Sequence, residues 1–249
     1  MQILNCIRPK QVHVGARFGF TLIEMLVVVA IIVILISMLL PGLRAARAKS
    51  RESKCEANMR ILTSAYQTYA MTNGRQLPGS NTGQAWDWLG DGNTTASITS
   101  GILFSYIGAM DAYRCPDHVY PWYLNSYSVN GKLNGEQEDE GSGGVKNHWT
   151  NSMNPGKQLV FMEEDDNRGW NINSFMLGNS QGSFVDLVPA NHTGGDNVGF
   201  LDTHVEYFKW EDKDSLLRPK HNPTPTFGFN DPGNVDWDKL RPVFRSWPW

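Results

Sequence analysis

The chain has 249 residues, with 22 basic and 25 acidic side chains and a formal net charge of −3. Mean hydropathy is negative although one stretch is almost pure hydrocarbon, so the remainder reads as soluble, about 200 residues and enough for one globular domain with a real core. An acidic balance is a poor electrostatic match to nucleic acid, so no nucleic-acid partner is expected.

Residues 1–19 hold Arg8, Lys10 and Arg17 and no acid. They read as a basic leader that keeps the amino terminus on the cytoplasmic side. Without it, 19 basic groups face 25 acidic ones, a net charge of −6. From Phe20 to Leu40 run 21 residues of which Glu24 alone is charged. As a helix this segment is roughly 31 Å long, the thickness of a bilayer core. A lone carboxylate in such a segment marks a functional site by default. Arg44, Arg47, Lys49, Arg51 and Lys54 follow on the other side, relieved by Glu52 and Glu56. Charge counting alone therefore does not fix the orientation, and the basic turn can also lie against anionic headgroups.

Beyond Pro41-Gly42, Leu43, Ala46, Met59, Leu62, Tyr66 and Tyr69 recur at helical spacing, and Asn73-Gly74 is a stop. The spacing predicts one helix from Phe20 to about Thr72, with Pro41 a place for a kink or local melting. Residues 20–41 form the membrane or assembly half. Residues 42–72 form an amphipathic half that packs on a globular domain, 73–249.

In that domain, residues 75–110 read as loops with one short helix or strand at Ile102–Ile107. Ser126–Gly131 reads as a strand ending in an Asn-Gly turn. The run Glu136–Glu140 reads as a solvated loop. Gln158–Met162 is a buried strand candidate, followed by Glu163, Glu164, Asp165 and Asp166, whose oxygens suit calcium. Their spacing is not that of an EF-hand, and a solvated loop is the plainer reading. Asn191–Phe208 reads as a hairpin turning at Asp202-Thr203, with Phe200 opposite Val205 and Val198 opposite Tyr207 on one face. A two-residue turn there sets Thr203 in a conformation that Thr dislikes. His192, Asp202 and His204 are of types that suit zinc or general-base work, but no nucleophile accompanies them, and a capping or turn-stabilising role for His192 and Asp202 is preferred. After Trp210 the composition predicts an irregular tail. The nine Trp suit either core packing or a polysaccharide-binding surface. Cys6 lies in the leader, which leaves Cys55 and Cys115 as an even pair, either a disulfide or two buried thiols.

Gly19-Phe20-Thr21-Leu22-Ile23-Glu24, behind a basic leader and before an apolar helix with Pro41 near its end, resembles the type IV prepilin signature at every position. The resemblance implies cleavage between Gly19 and Phe20 by a prepilin peptidase, N-methylation of Phe20, and Glu24 as an assembly residue that pairs with a neighbouring subunit's amino terminus. Lys54–Leu62, Tyr69–Pro78, Cys115-Pro-Asp and His192 followed nine residues later by Asp202 resemble a pilin-like group of planctomycete and verrucomicrobial type, whose signature has Gly where Thr203 stands. Calcium sites occur in the major pseudopilin of type II secretion, which adds weight to Glu163–Asp166.

These readings converge on an α+β, pilin-like fold: a long amino-terminal helix, membrane-spanning in its first half, packed on an antiparallel sheet. The expected function is that of a structural subunit, not an enzyme, with no cofactor beyond an optional calcium ion. Its expected partners are the prepilin peptidase/methylase, other pilin-like subunits, the inner membrane and a secretion-system assembly platform. It is expected to be single-pass in the inner membrane with a periplasmic carboxy-terminal domain, or extruded into a filament. The rival is a membrane-anchored periplasmic binding module for carbohydrate or calcium. A hydrolase is the third reading and lacks a nucleophile–base set.

Overall fold

A computed structural model describes residues 19–80, 85–90, 92, 94–118, 122–134, 148–150, 153–164, 173–178, 181–186, 188–189, 191–212 and 229–244. The chain divides into two compact units, Met1–Ala46 and Arg47–Trp249. Helix α1, Leu22–Thr72, contributes to both.

In the first unit every residue from Phe20 to Ala46 is exposed. Pro41 lies inside the helix, where it removes one backbone donor, yet the helix runs on through it. This is the one helix among the described residues that is long and apolar enough to cross a membrane.

The second unit is built on a five-stranded sheet in the order β3-β1-β2-β5-β6. The strands are β1 Tyr127–Asn130, β2 Leu159–Glu163, β3 Ser174–Phe175, β5 Gly195–Phe200 and β6 Val205–Lys209. Two further short strands, β4 Ser183–Phe184 and β7 Phe229–Asn230, pair with each other. The short apolar run after Gly101 forms helix α3, Phe104–Ile107, preceded by α2, Thr95–Ser100. The sheet is mixed rather than antiparallel, because β3 pairs parallel with β1. β1 is itself antiparallel to β2, so β3 and β2 run in opposite directions on either side of it.

Both faces of the sheet are covered. On one face Cys55, Met59, Leu62, Tyr66 and Ala70 of α1 share a core with Tyr127, Val129 and Phe161. On the other, Leu159, Met162, Val198 and Phe200 pack with Trp237, Leu240 and Phe244. The last three belong to α4, Val235–Phe244, where an irregular tail was expected. The helix forms because Asn234 Oδ1 accepts the backbone N–H groups of Asp236 and Trp237, both at 3.0 Å, and Asp236 and Asp238 sit in its positively polarised first turn. Asp236 also accepts the N–H groups of Glu211 and Asp212 at 2.9 Å each, which ties the end of β6 to the helix. Residues 245–249 and the acidic run 136–140 lie outside the described residues. Trp88, Trp210 and Trp237 are core residues, while Trp86 and Trp122 are exposed.

The β5–β6 hairpin differs from the two-residue turn by one position. Val198 pairs with Glu206 and Gly199 with Val205. Thr203 N–H donates to Phe200 O at 2.9 Å and Phe200 N–H to His204 O at 3.0 Å. This is a tight turn followed by a left-handed residue, and Thr203 fills that place with φ of 76°. The extra loop residue shifts the whole of β6 by one, so Val205 and Tyr207 no longer face Phe200 and Val198.

Gly199 faces α1. A side chain there would overlap the Thr63 methyl and stand 2.9 Å from Met59 Cγ. Gly199→Val is therefore expected to destabilise the domain by about 1–3 kcal/mol, read as a lowered Tm in thermal denaturation of the detergent-solubilised chain. Thr203→Gly acts in the other direction. Relief of a left-handed Thr, worth roughly 1–2 kcal/mol, exceeds the entropy that Gly loses on folding. The same melt should show a Tm higher by about 2–4 °C.

Candidate functional site

Two groupings of chemistry-bearing residues stand out. The first is the start of α1. Gly19 and Phe20 are exposed and non-helical, and a Cβ placed at Gly19 would meet nothing within 4 Å. The Gly19–Phe20 peptide is thus open to an approaching enzyme. Two residues on, Thr21 and Glu24 cap the helix reciprocally. Thr21 N–H and Oγ1–H donate to Glu24 Oε2 at 2.8 and 2.7 Å, and Glu24 N–H donates to Thr21 Oγ1 at 3.3 Å. The sequence Thr-Leu-Ile-Glu is a capping box, a local signal legible in the sequence but passed over there. It gives Glu24 a partner within its own chain while the surrounding Phe20, Ile23, Val27 and Val28 offer hydrocarbon alone.

The second grouping lies in the Arg47–Trp249 unit. Cys55 of α1 and Cys115 form a disulfide with Cα atoms 5.1 Å apart. The turn Cys115-Pro116-Asp117 is closed by His118 N–H donating to Cys115 O at 3.1 Å. It is anchored from α1 by Asn58, whose Nδ2 donates to Arg114 O at 2.9 Å. His192 comes from the turn just before β5. It opens a tight turn in which Thr193 and Gly194 both have positive φ, and Gly195 N–H donates back to His192 O at 3.1 Å. The Tyr207 hydroxyl donates to the same carbonyl. The imidazole is buried. Its Nε2 lies 2.8 Å from Glu163 Oε1 and 3.3 Å from Cys115 Sγ. Its Nδ1 stands 3.2 Å from Asp117 Oδ2.

Burial alone would lower the His192 pKa. The hydrogen bond and charge of Glu163, with the charges of Asp117 and Glu52, outweigh it and hold the pKa above the ordinary value. Two of these acids have their own cations: Asp117 pairs with Arg51 and Glu52 with Lys49 at 2.6 Å. Part of the basic cluster after the apolar segment is therefore engaged with acids of the same unit.

His192 and Asp202 do not share a site. They flank opposite ends of β5, a strand of roughly 20 Å. Asp202 is exposed and holds the hairpin loop, with Oδ1 accepting His204 N–H at 3.2 Å and lying 2.5 Å from His204 Nδ1. Glu163 and Glu164 also part company, as neighbours at a strand end do. Glu163 turns to His192, and Glu164 accepts from Ser128 Oγ. Asp165 and Asp166 lie outside the described residues. The sequence did not bring Cys55, Cys115, Glu163 and His192 together, because they come from four separate segments.

Residues 16–40 match the family described as the prokaryotic N-terminal methylation motif. No similar curated protein and no similar solved structure is found. The match covers the leader junction and the apolar half of α1, leaving the globular domain outside it. The chain thus carries a prepilin-type amino terminus, which implies processing by a prepilin peptidase and assembly with other pilin subunits.

The His192 environment sets a pH dependence for the oxidised, metal-free chain. The folded-state pKa is raised above the unfolded value of about 6.5, so the folded state binds the proton more tightly. Its stabilisation is complete below about pH 6.5 and is lost as pH rises through the folded value. Denaturant midpoints should fall over that window, and His192→Gln should remove this component of the slope.

Proposed function

Because the chain carries a prepilin-type amino terminus, we propose that it is a pilin-like structural subunit, a pseudopilin of a type II secretion pseudopilus or a related type IV pilus-like filament that serves protein secretion. A prepilin peptidase cuts between Gly19 and Phe20 and methylates the new terminus. The apolar half of α1 first anchors the subunit in the inner membrane and then bundles with other subunits on the assembly platform. The Arg47–Trp249 unit stands on the periplasmic side. The protein is a substrate of processing enzymes and has no catalytic role of its own.

One observation carries this reading: Glu24 is the single charge in the fully exposed apolar segment Phe20–Leu40, just after an accessible Gly19–Phe20 peptide. The Thr21 cap satisfies the carboxylate in the lone subunit. In a filament core the α-amino group of a neighbour can replace that cap. A charge pair in low dielectric disfavours wrong axial registers, because each mismatch strands a buried charge. The burial of Trp88, Trp210 and Trp237 takes three of the nine tryptophans out of any carbohydrate-binding surface, while Trp86 and Trp122 stay exposed.

The test is assembly in a host carrying the peptidase and platform, read by photo-crosslinking from position Val28. The native chain should give a ladder of multimers. Glu24→Gln should be processed normally yet lose the ladder at least tenfold. An undiminished ladder from Glu24→Gln would refute the assembly role.

A further inference from the structure

The ligand atoms of Cys55, Cys115, Glu163 and His192 all lie within 4.8 Å of one another, and all four residues are buried. Two sulfurs, an imidazole nitrogen and a carboxylate oxygen are the donor set of a closed tetrahedral zinc site. Zinc bond lengths of about 2.0–2.3 Å place such donors roughly 3.3–3.8 Å apart, so the two bonded sulfurs must separate and the His192 Nε2–Glu163 Oε1 pair, now 2.8 Å apart, must widen. Nε2 faces the cluster, and Nδ1 stands 3.2 Å from Asp117 Oδ2 as an ion-pair contact without hydrogen-bond geometry; a hydrogen bond from Nδ1 to Asp117 in the metal-bound state would fix the tautomer of the ligand. Arg51 pairs with Asp117 from outside.

We propose that the reduced chain binds one zinc ion at Cys55, Cys115, Glu163 and His192, and that disulfide formation expels it. The chain is made with both cysteines as thiols. On binding, the two thiols lose two protons and become thiolate ligands. On oxidation by a disulfide-bearing oxidant, the two thiolates give up two electrons to form the Cys55–Cys115 bond. The oxidant takes those electrons and two protons to become a dithiol, and zinc leaves. Either state staples α1 to the Cys115-Pro116-Asp117 turn. Thiolate and imidazole donors select zinc over calcium or magnesium. Because the site is buried, the ion enters as the domain folds.

The test uses the full-length Cys6→Ser chain in detergent, reduced with a phosphine in metal-free buffer. Titration with cobalt(II) should show one equivalent bound, with a thiolate-to-cobalt charge-transfer band and tetrahedral d–d bands that zinc abolishes. The disulfide form should bind none. Glu163→Gln and His192→Ala should weaken binding at least tenfold, and Asp117→Asn by roughly 10–100-fold. Zinc should raise the Tm of the reduced chain but not that of a Cys55→Ser/Cys115→Ser chain. The proposal is overturned if the reduced chain takes up no cobalt, if the double-serine chain takes up as much, or if a reduced, unfolded chain is not refolded by zinc.

Discussion

A helix covered with hydrocarbon on every side cannot rest in water, and the first half of α1 is such a helix. Its valines, isoleucines and leucines all need either lipid or other apolar helices. Either medium leaves Glu24 as the one group to be satisfied. The fold answers locally, through the reciprocal cap with Thr21. That cap uses short-range hydrogen bonds that a competing cation can displace, as the proposed pairing of Glu24 with a neighbouring subunit's amino terminus requires.

The second half of α1 obeys a different constraint. It lies against a sheet whose strand β5 approaches closely enough that Gly199 must lack a side chain. At one end of this contact sit the Cys55–Cys115 link and the His192 imidazole between Glu163 and Asp117. The link joins residues 60 positions apart, and closing so long a loop restricts the unfolded chain. Helix, Cys-Pro-Asp turn, β2 and the turn before β5 all converge there. The cluster thus orders the domain at the point where four distant segments meet, and α4 seals the opposite face of the sheet.

Much of this was legible locally. The apolar run, its lone acid, the helix stop at Asn73-Gly74 and the strands around Val129 and Phe161 follow from composition and period, while the amino-terminal motif was legible as a resemblance to the type IV prepilin signature. What failed to show were features set by single residues or by distant contacts. One extra residue at Thr203 shifted the register of β6. The Asn234 cap began a helix in a Pro- and Gly-rich region that reads as a tail. The parallel pairing of β3 with β1 joins segments more than 40 residues apart, which no local pattern encodes. His192 and Asp202, joined by their spacing in sequence, are separated by the length of a strand. His192 instead meets Cys115 and Glu163, residues with which it shares no local motif.

The central claim is that the working form of this protein begins at Phe20. Intact-mass measurement and amino-terminal sequencing of the protein from native membranes address it directly. The account predicts a chain that starts with N-methylated Phe20 and has lost residues 1–19. A chain that retains its leader would contradict it, leaving an anchored domain whose Glu24 would need another explanation.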